Sequence, residues 1–337
     1  MTPAKIIISR TDHIGDVVLS LPMAAILKKQ FPGSEIIFLG RSYTEPVIGA
    51  CPHIDRFLNW TVLEKMNEKN RVSRFKALKA DVIIHVYPDR LIATTSRQAG
   101  IPIRIGTSHR SYHWITCNHL VHFSRKRSVF HETQLNLRLL EPLGIKRYIS
   151  TDEIRRMDTL SIAPSLKKET ARLLSEKKFN LILHPLSKRN AREWGLDNYK
   201  KLIGMLPVDL FTIFITGTED EGLMIRKQQL TDFPHVTDLT GRQTLQDLIR
   251  FIAAADGLIA CSTGPLHLAA ALGKYTLGIY SPLRPIHPGR WAPLGLNASF
   301  LVKNGPCRKC RKKDRCECLE SITPEEVKNK FMEIIKS

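Results

Sequence analysis

Short apolar runs alternate along this chain with longer stretches whose apolar positions recur at helical spacing. KIIIS near the start reads as a buried strand, and DVVLSLPMAAILKKQFP after it as a helix that Pro22 kinks or ends at its first turn. EIIFLG (strand), TEPVIGA (short helix), HIDRFLNW (strand), an exposed helix ending in FKALKA, DVIIHV (strand) and IPIRIG at 101–106 (strand) follow. Residues 108–130 are polar, basic and irregular, and HETQLNLRLLEPLGI (131–145) closes the first half as a helix. A polar, charged stretch over 146–178 separates the halves, and then the pattern restarts. FNLILHP, LFTIFITG, GLIACS and YTLGIYS read as strands. LDNYKKLIGML, GTEDEGLMIRKQQL, LQDLIRFIAAA and TGPLHLAAALG read as helices between them. After the proline-rich SPLRPIHPGRWAPLG, the chain ends in a helix capped by Thr323 with Pro324 in its first turn.

Strands that alternate with helices predict an α/β protein with mainly parallel sheets and right-handed crossovers. The expected architecture is two Rossmann-like domains, 1–165 and 166–337, facing each other across a cleft. The last helix is expected to pack back on the N-terminal domain. Ligands of such sheets bind at the carboxyl ends of the strands.

Charge adds a partner to this picture. With 51 Lys and Arg against 32 Asp and Glu, the 337 residues carry +19. That points to an anionic partner such as nucleic acid, an acidic membrane surface or a phosphorylated glycan, with plain solubility as the alternative. Basic clusters occur at RIGTSHR (104–110), SRKR (124–127) and CRKCRKKDRC (307–316). The chain has no aromatic RNA-binding strand and no helix-turn-helix signature, so nucleic acid is not the expected partner. No run approaches the ~20 apolar residues of a membrane span. MTPAKIIIS lacks the pattern of an export signal, which predicts a cytoplasmic protein. The seven cysteines, four of them near the C-terminus, suit a reducing compartment better than a disulfide framework.

Three strand-to-helix turns hold candidate chemistry. In ACSTGPLHLAAALG, Ser262, Thr263 and Gly264 lie between strand and helix, Pro265 starts the helix, and His267 follows one turn in. The free N–H groups and the dipole of such a helix suit a diphosphate, although an ordinary N-cap gives the same pattern. In HPLSKRNAREWGLDNY (184–199), Lys188, Arg189 and Arg192 could neutralise that diphosphate without a metal, or simply form a solvated basic loop. ITGTEDE (215–221) is acidic and better suited to ribose or base contact. The first turn, SRTDHIGDVVLSLP, is different: where phosphate would sit it carries Asp16. A carboxylate there, kept ionised by the helix N-terminus, is either a general base or a helix cap.

Together these stretches resemble the ADP-heptose:lipopolysaccharide heptosyltransferases, glycosyltransferase family 9. The most specific segments are RTDHIGDVVLSLP, HPLSKRNAREW and DLTGRQTLQDLIRFIAAADGLIACSTGPLHLAAALG. The resemblance implies a GT-B fold, with the nucleotide sugar bound by the second domain. It also implies a metal-independent transfer that inverts the anomeric centre, needing no cofactor. The family's catalytic aspartate falls on Asp16. Its donor contacts fall on Ser187, Lys188 and Arg192, on Thr240 and Gly241, and on Ser262, Thr263, Gly264, Pro265 and His267. The position of Ser262 is often aspartate in the family, which makes the donor sugar less secure than the reaction type. The implied partners are ADP-heptose or a related nucleotide sugar, a lipopolysaccharide core precursor and the anionic cytoplasmic face of the inner membrane. Arg10, His13, Arg41, Arg97, Arg104 and Arg110, with His109, are then expected to receive the acceptor's carboxylates and phosphates, mostly from loops. Alternative readings are a nucleotide-sugar epimerase on the same fold or a non-enzymatic binder of anionic glycan or nucleic acid. A dehydrogenase fits poorly, because no G-x-G-x-x-G follows either first strand.

Cys307, Cys310, Cys316 and Cys318 form C-x2-C-x5-C-x-C. The first pair has the spacing of a zinc half-site, and the cations around it would favour thiolate. A structural metal, disulfides and free thiols all remain open from this pattern, with no part in the transfer step.

Overall fold

Ile6, Ile7 and Ile8 have no solvent exposure, and neither do Ile36, Ile37, Phe38 and Leu39 in the next strand. Such continuous apolar runs form where helices cover both faces of a parallel sheet. The computed structural model describes residues 2–125, 128–146, 148–188, 191–305, 307, 310 and 316–336. It divides into two compact units, Met1–Ser161 and Ile162–Ser337.

The first unit contains β1 (Lys5–Ser9), β2 (Glu35–Gly40), β3 (Arg56–Asn59), β4 (Val82–His85), β5 (Ile103–Thr107) and β6 (His119–Val121). The second contains β7 (Phe179–His184), β8 (Phe211–Ile215), β9 (Val236–Asp238), β10 (Gly257–Cys261), β11 (Tyr275–Tyr280) and β12 (Ala298–Val302). The sheet orders are β3-β2-β1-β4-β5-β6 and β12-β11-β10-β7-β8-β9. All the strand pairs are parallel. Numbered within its own unit, each sheet runs 3-2-1-4-5-6, the doubly wound order whose direction reverses between its first and fourth strands.

Three departures from the sequence reading have physical causes. β6, β9 and β12 are edge strands that the pattern does not announce; two are three residues long and all are at least partly exposed. The first long helix is two, Ile14–Val18 and Leu21–Gln30, and Pro22 sits in the first turn of the second, where its missing N–H costs nothing. The closing helix of the first half is α-helical only over Glu132–Leu137 and tightens to 3-10 over Arg138–Leu143, which contains Pro142. The last helix, Pro324–Lys336, is part of the second unit, where Phe331 is fully buried in the core and meets Phe179 edge-on at 5.7 Å.

Candidate active site

In each sheet the reversal point brings two turns together at the strands' carboxyl ends, and in each the central turn runs straight into a helix. In the first unit this turn follows β1. Arg10 is 3% exposed and its guanidinium is surrounded by acceptors. Its Nε donates to Asp12 Oδ1 at 2.7 Å, Nη2 donates to Asp16, and Nη1 donates to Asn136 Oδ1 at 3.2 Å and faces Glu132 Oε1 at 3.5 Å. Arg125 closes the network, donating to Glu132 at 3.0 Å, to Asn136 at 3.0 Å and to the Val86 carbonyl, just past β4, at 3.2 Å. Burial alone would lower the Arg10 pKa, but Asp12, Asp16 and Glu132 outweigh it and the net shift is upward.

Asp16 lies in the first turn of Ile14–Val18, its side chain 17% exposed. Burial lifts its carboxyl from the usual range to about 6, against the pull of Arg10. Arg10 is the main group that opposes the burial and favours the ionised form. A carboxylate poised near neutrality with one face open is suited to accept a proton. Asp16 does not accept the cap bond of its helix, whose N-cap, the exposed His13, makes no side-chain bond either. Glu132 and Asn136, the partners that fix Arg10, escape sequence reasoning because they lie more than a hundred residues away.

In the second unit the turn that runs straight into a long helix at the reversal point follows β10, that unit's fourth strand. Thr263 is the N-cap of Gly264–Ala271, with Pro265 in the first turn, and makes no side-chain cap bond. Its Oγ1 is buried and finds no hydrogen-bond partner among the described residues. His267 is buried one turn in. Ser262 is engaged, hydrogen-bonded to the buried Tyr280 hydroxyl. This helix start holds no carboxylate, so its dipole and N–H groups are available to an anion.

The loop after β7, at the same reversal point, carries the expected cations. Lys188 is exposed at φ 50°, and its backbone N–H donates to Glu221 Oε1 at 2.9 Å. Glu221, read from the sequence as a ribose or base contact, is instead a buried brace that closes the cap of its own helix at Thr218. Burial would raise its pKa, but the N–H bonds from Thr218 and Lys188 dominate and hold it low. Ser187 donates to Glu193 Oε1 at 2.8 Å, and Arg192 reaches the Cys310 carbonyl at 3.5 Å. Thr240 is buried and already bonded to Asp238 at 2.6 Å and to Arg226 at 3.1 Å, so its hydroxyl holds the turn at Gly241 (φ 72°) together. Arg189, Lys126, Arg127 and the cations between Cys307 and Cys316 lie outside the described residues.

The residues expected to receive the acceptor do not form one group. Arg10 is consumed by its carboxylates, and Arg41 pairs with Glu64. Arg97 and Arg104 are not in loops. Arg97 is in the last turn of the helix Arg90–Gln98, which runs back from the carboxyl ends. Arg104 is the second residue of β5, and its guanidinium bonds the carbonyls of Ile101 and Thr116. A parallel strand begins at the edge opposite its carboxyl end, so neither residue can face the site. His109 and Arg110 are exposed just past the carboxyl end of β5, beside Trp114 and Ile115, which are 64% and 65% exposed.

A cavity of about 700 Å³ opens past the ends of β11 and β12, lined in part by Arg284, His287, Lys303 and Cys307. Nearby, Cys307, Cys310 and Cys316 are buried and Cys318 half-buried, with no disulfide among them. Burial raises the pKa of Cys307 and Cys316, while the thiol of Cys307 hydrogen-bonds Cys310 and lowers it.

Residues 72–319 match the model of glycosyltransferase family 9 (heptosyltransferase). The chain belongs to glycosyltransferase family 9. Among curated relatives, a putative glycosyltransferase of Haemophilus influenzae is 27% identical over 300 residues, covering 86% of each chain. Lipopolysaccharide heptosyltransferase 3 of Escherichia coli is 23% identical over 331 residues, covering 92% of this chain and 93% of its own. The fold is shared with solved structures at lower identity. E. coli ADP-heptose lps heptosyltransferase II superposes with a TM-score of 0.75 at 17% identity, over 98% of both chains. A family 9 glycosyl transferase of Veillonella parvula does so with a TM-score of 0.76 at 18% identity, over 99% of this chain and 98% of its own. The two doubly wound units are thus those of a GT-B glycosyltransferase, an enzyme of family 9 (heptosyltransferase).

Proposed function

We propose that this family 9 enzyme moves a heptose from ADP-heptose to the lipopolysaccharide inner core, onto a Kdo or heptose acceptor, in one inverting displacement. Asp16 takes the proton of the acceptor hydroxyl. The oxygen attacks the anomeric carbon on the face opposite the diphosphate, the bond from that carbon to the diphosphate oxygen breaks, and ADP leaves. The N–H groups of Gly264–Ala271, the Thr263 hydroxyl, His267 and the cations Lys188 and Arg192 take up the charge that develops on the leaving group. That set replaces a divalent metal. The observation that carries this reading is the contrast at the two reversal points: a carboxylate bonded to Arg10 in one unit, and an acid-free helix start with an unpartnered buried hydroxyl in the other.

The acceptor's anionic groups suit the exposed His109 and Arg110, and the exposed Trp114 and Ile115 beside them suit shallow contact with an anionic bilayer surface. No described helix is long and apolar enough to cross a membrane. The enzyme would work at the cytoplasmic face of the inner membrane without nucleic acid as a partner. The test is ADP release from ADP-heptose in EDTA. Release that requires a core acceptor and needs no added magnesium or manganese supports the reading. Turnover of the nucleotide sugar with no acceptor present would indicate an epimerase instead.

A further inference from the structure

We propose that Cys307, Cys310, Cys316 and Cys318 form a tetrathiolate site for one thiophilic divalent metal ion, zinc or iron(II), that pins the segment after β12 to the loop carrying Arg192. The Sγ atoms of Cys307, Cys310 and Cys316 all lie within 4.8 Å of one another, and each of these residues is under a tenth exposed. Cys318 packs against the same cluster and hydrogen-bonds Cys307. Metal–sulfur bonds of about 2.3 Å in a tetrahedron set the sulfurs roughly 3.8 Å apart, so the sulfurs of Cys307, Cys310 and Cys316 need to contract by about 1 Å at most.

Two further observations favour a bound cation over plain thiols or disulfides. The first is the backbone. The N–H groups of Glu317 and Cys318 point at the Cys310 sulfur, that of Leu319 at the Cys316 sulfur and that of Cys310 at the Cys307 sulfur. Donors aimed at sulfur stabilise thiolate ligands and do little for a disulfide. The second is charge. Between Cys307 and Cys316 the sequence has six Lys and Arg and one Asp, a net of 6 − 1 = +5. Four thiolates with one divalent ion carry −2, which such a segment offsets, whereas two disulfides are neutral and leave it uncompensated.

The site would act by position. Ser281 Oγ, just past β11, lies 3.1 Å from the Cys316 sulfur, and Arg192 reaches the Cys310 carbonyl. Trp194 Nε1 donates to the Ile322 carbonyl at 2.7 Å and Asn198 to that of Glu320 at 2.9 Å. The cluster is thus the knot through which the C-terminal segment grips the β7 loop and one wall of the 700 Å³ cavity. The ion contacts neither donor nor acceptor, so this proposal stands or falls independently of the glycosyl-transfer reading.

The test is elemental analysis of the full chain purified under reducing conditions without chelator. About one zinc or iron per chain is expected, the analysis itself identifying the element; on oxidation in air an iron site should turn red through thiolate-to-iron(III) absorption, whereas a zinc site stays colourless. Replacement by cobalt(II) should give the thiolate charge-transfer and d–d bands of a tetrahedral sulfur site. Stoichiometric release by an organomercurial, with a Tm fall of about 5 °C or more, should accompany loss of the ion. Cys318→Ser should weaken binding and shift the cobalt spectrum. If the cysteine variants fail to fold, mercurial release from the wild type still decides the ligand set. Reduced protein that carries no metal and takes up neither zinc nor cobalt would overturn the proposal, as would bound metal indifferent to the mercurial.

Discussion

The two reversal points are built on the same plan and hold opposite electrostatics. After β1 the helix start is filled by the protein's own carboxylate, and a buried arginine is committed to it. After β10 the helix start has no acid, a proline that needs no N–H partner, and a threonine whose buried oxygen lacks a partner among the described residues. One turn is complete in itself; the other leaves a buried hydroxyl without a partner among the described residues. A doubly wound sheet therefore offers a site at its reversal point without fixing what that site does. In the proposed reading, a few side chains at the helix tip decide whether it handles a proton or a phosphate.

Removing the carboxylate from the first turn is the severest test of this contrast. Asp16→Asn keeps the shape and should cut turnover by about 10²–10⁴ while donor affinity stays within a few fold. Near-normal turnover would mean that the acid there is only structural.

Arg10→Ala strikes the same turn through its support. It leaves Asp12, Asp16 and Glu132 facing one another, and should cost about 3–5 kcal/mol in denaturant unfolding because buried charges lose their partner. The pH profile gives a second readout. Asp16 must be ionised to act, and its carboxyl is lifted by burial to about 6, so wild-type kcat/KM should fall as pH drops through that value. Removing Arg10 removes the pull that opposes burial, and the acid limb should move to higher pH. An unmoved limb would show that another group titrates there.

At the second turn, Thr263→Val should weaken donor binding by about ten- to a hundredfold, since a hydrogen bond to a charged group is worth about 1.5–3 kcal/mol. Tm should hold or rise, because a buried oxygen without a protein partner is removed. A stability loss with unchanged donor Kd would reverse the assignment and make Thr263 an ordinary cap.

The smallest effect is expected at Arg97. It lies at the end of its helix farthest from the carboxyl ends of its own sheet, so Arg97→Ala should change acceptor KM by less than about twofold, as for an isolated surface charge. A larger change would bring back the acceptor role that its place in the fold argues against.

The apolar periodicity alone determined the α/β class and the central strands, because a strand buried on both faces must be apolar throughout. It also determined where the turns at Asp16 and Thr263 begin, since proline, glycine and hydroxyl residues mark strand-to-helix turns by local sterics. The edge strands β6, β9 and β12 were not legible, since a strand paired on one side needs no such run. What each polar residue does was decided by tertiary structure. Arg10 reads as a free cation until Glu132 and Asn136 fold against it. Glu221 reads as a ligand contact until Lys188 donates to it from a left-handed turn. Arg104 reads as an acceptor contact until β5 places it at the wrong end of the sheet. Local preferences follow from each residue and its neighbours in sequence, whereas the fate of a charge depends on which groups from distant segments reach it when water leaves.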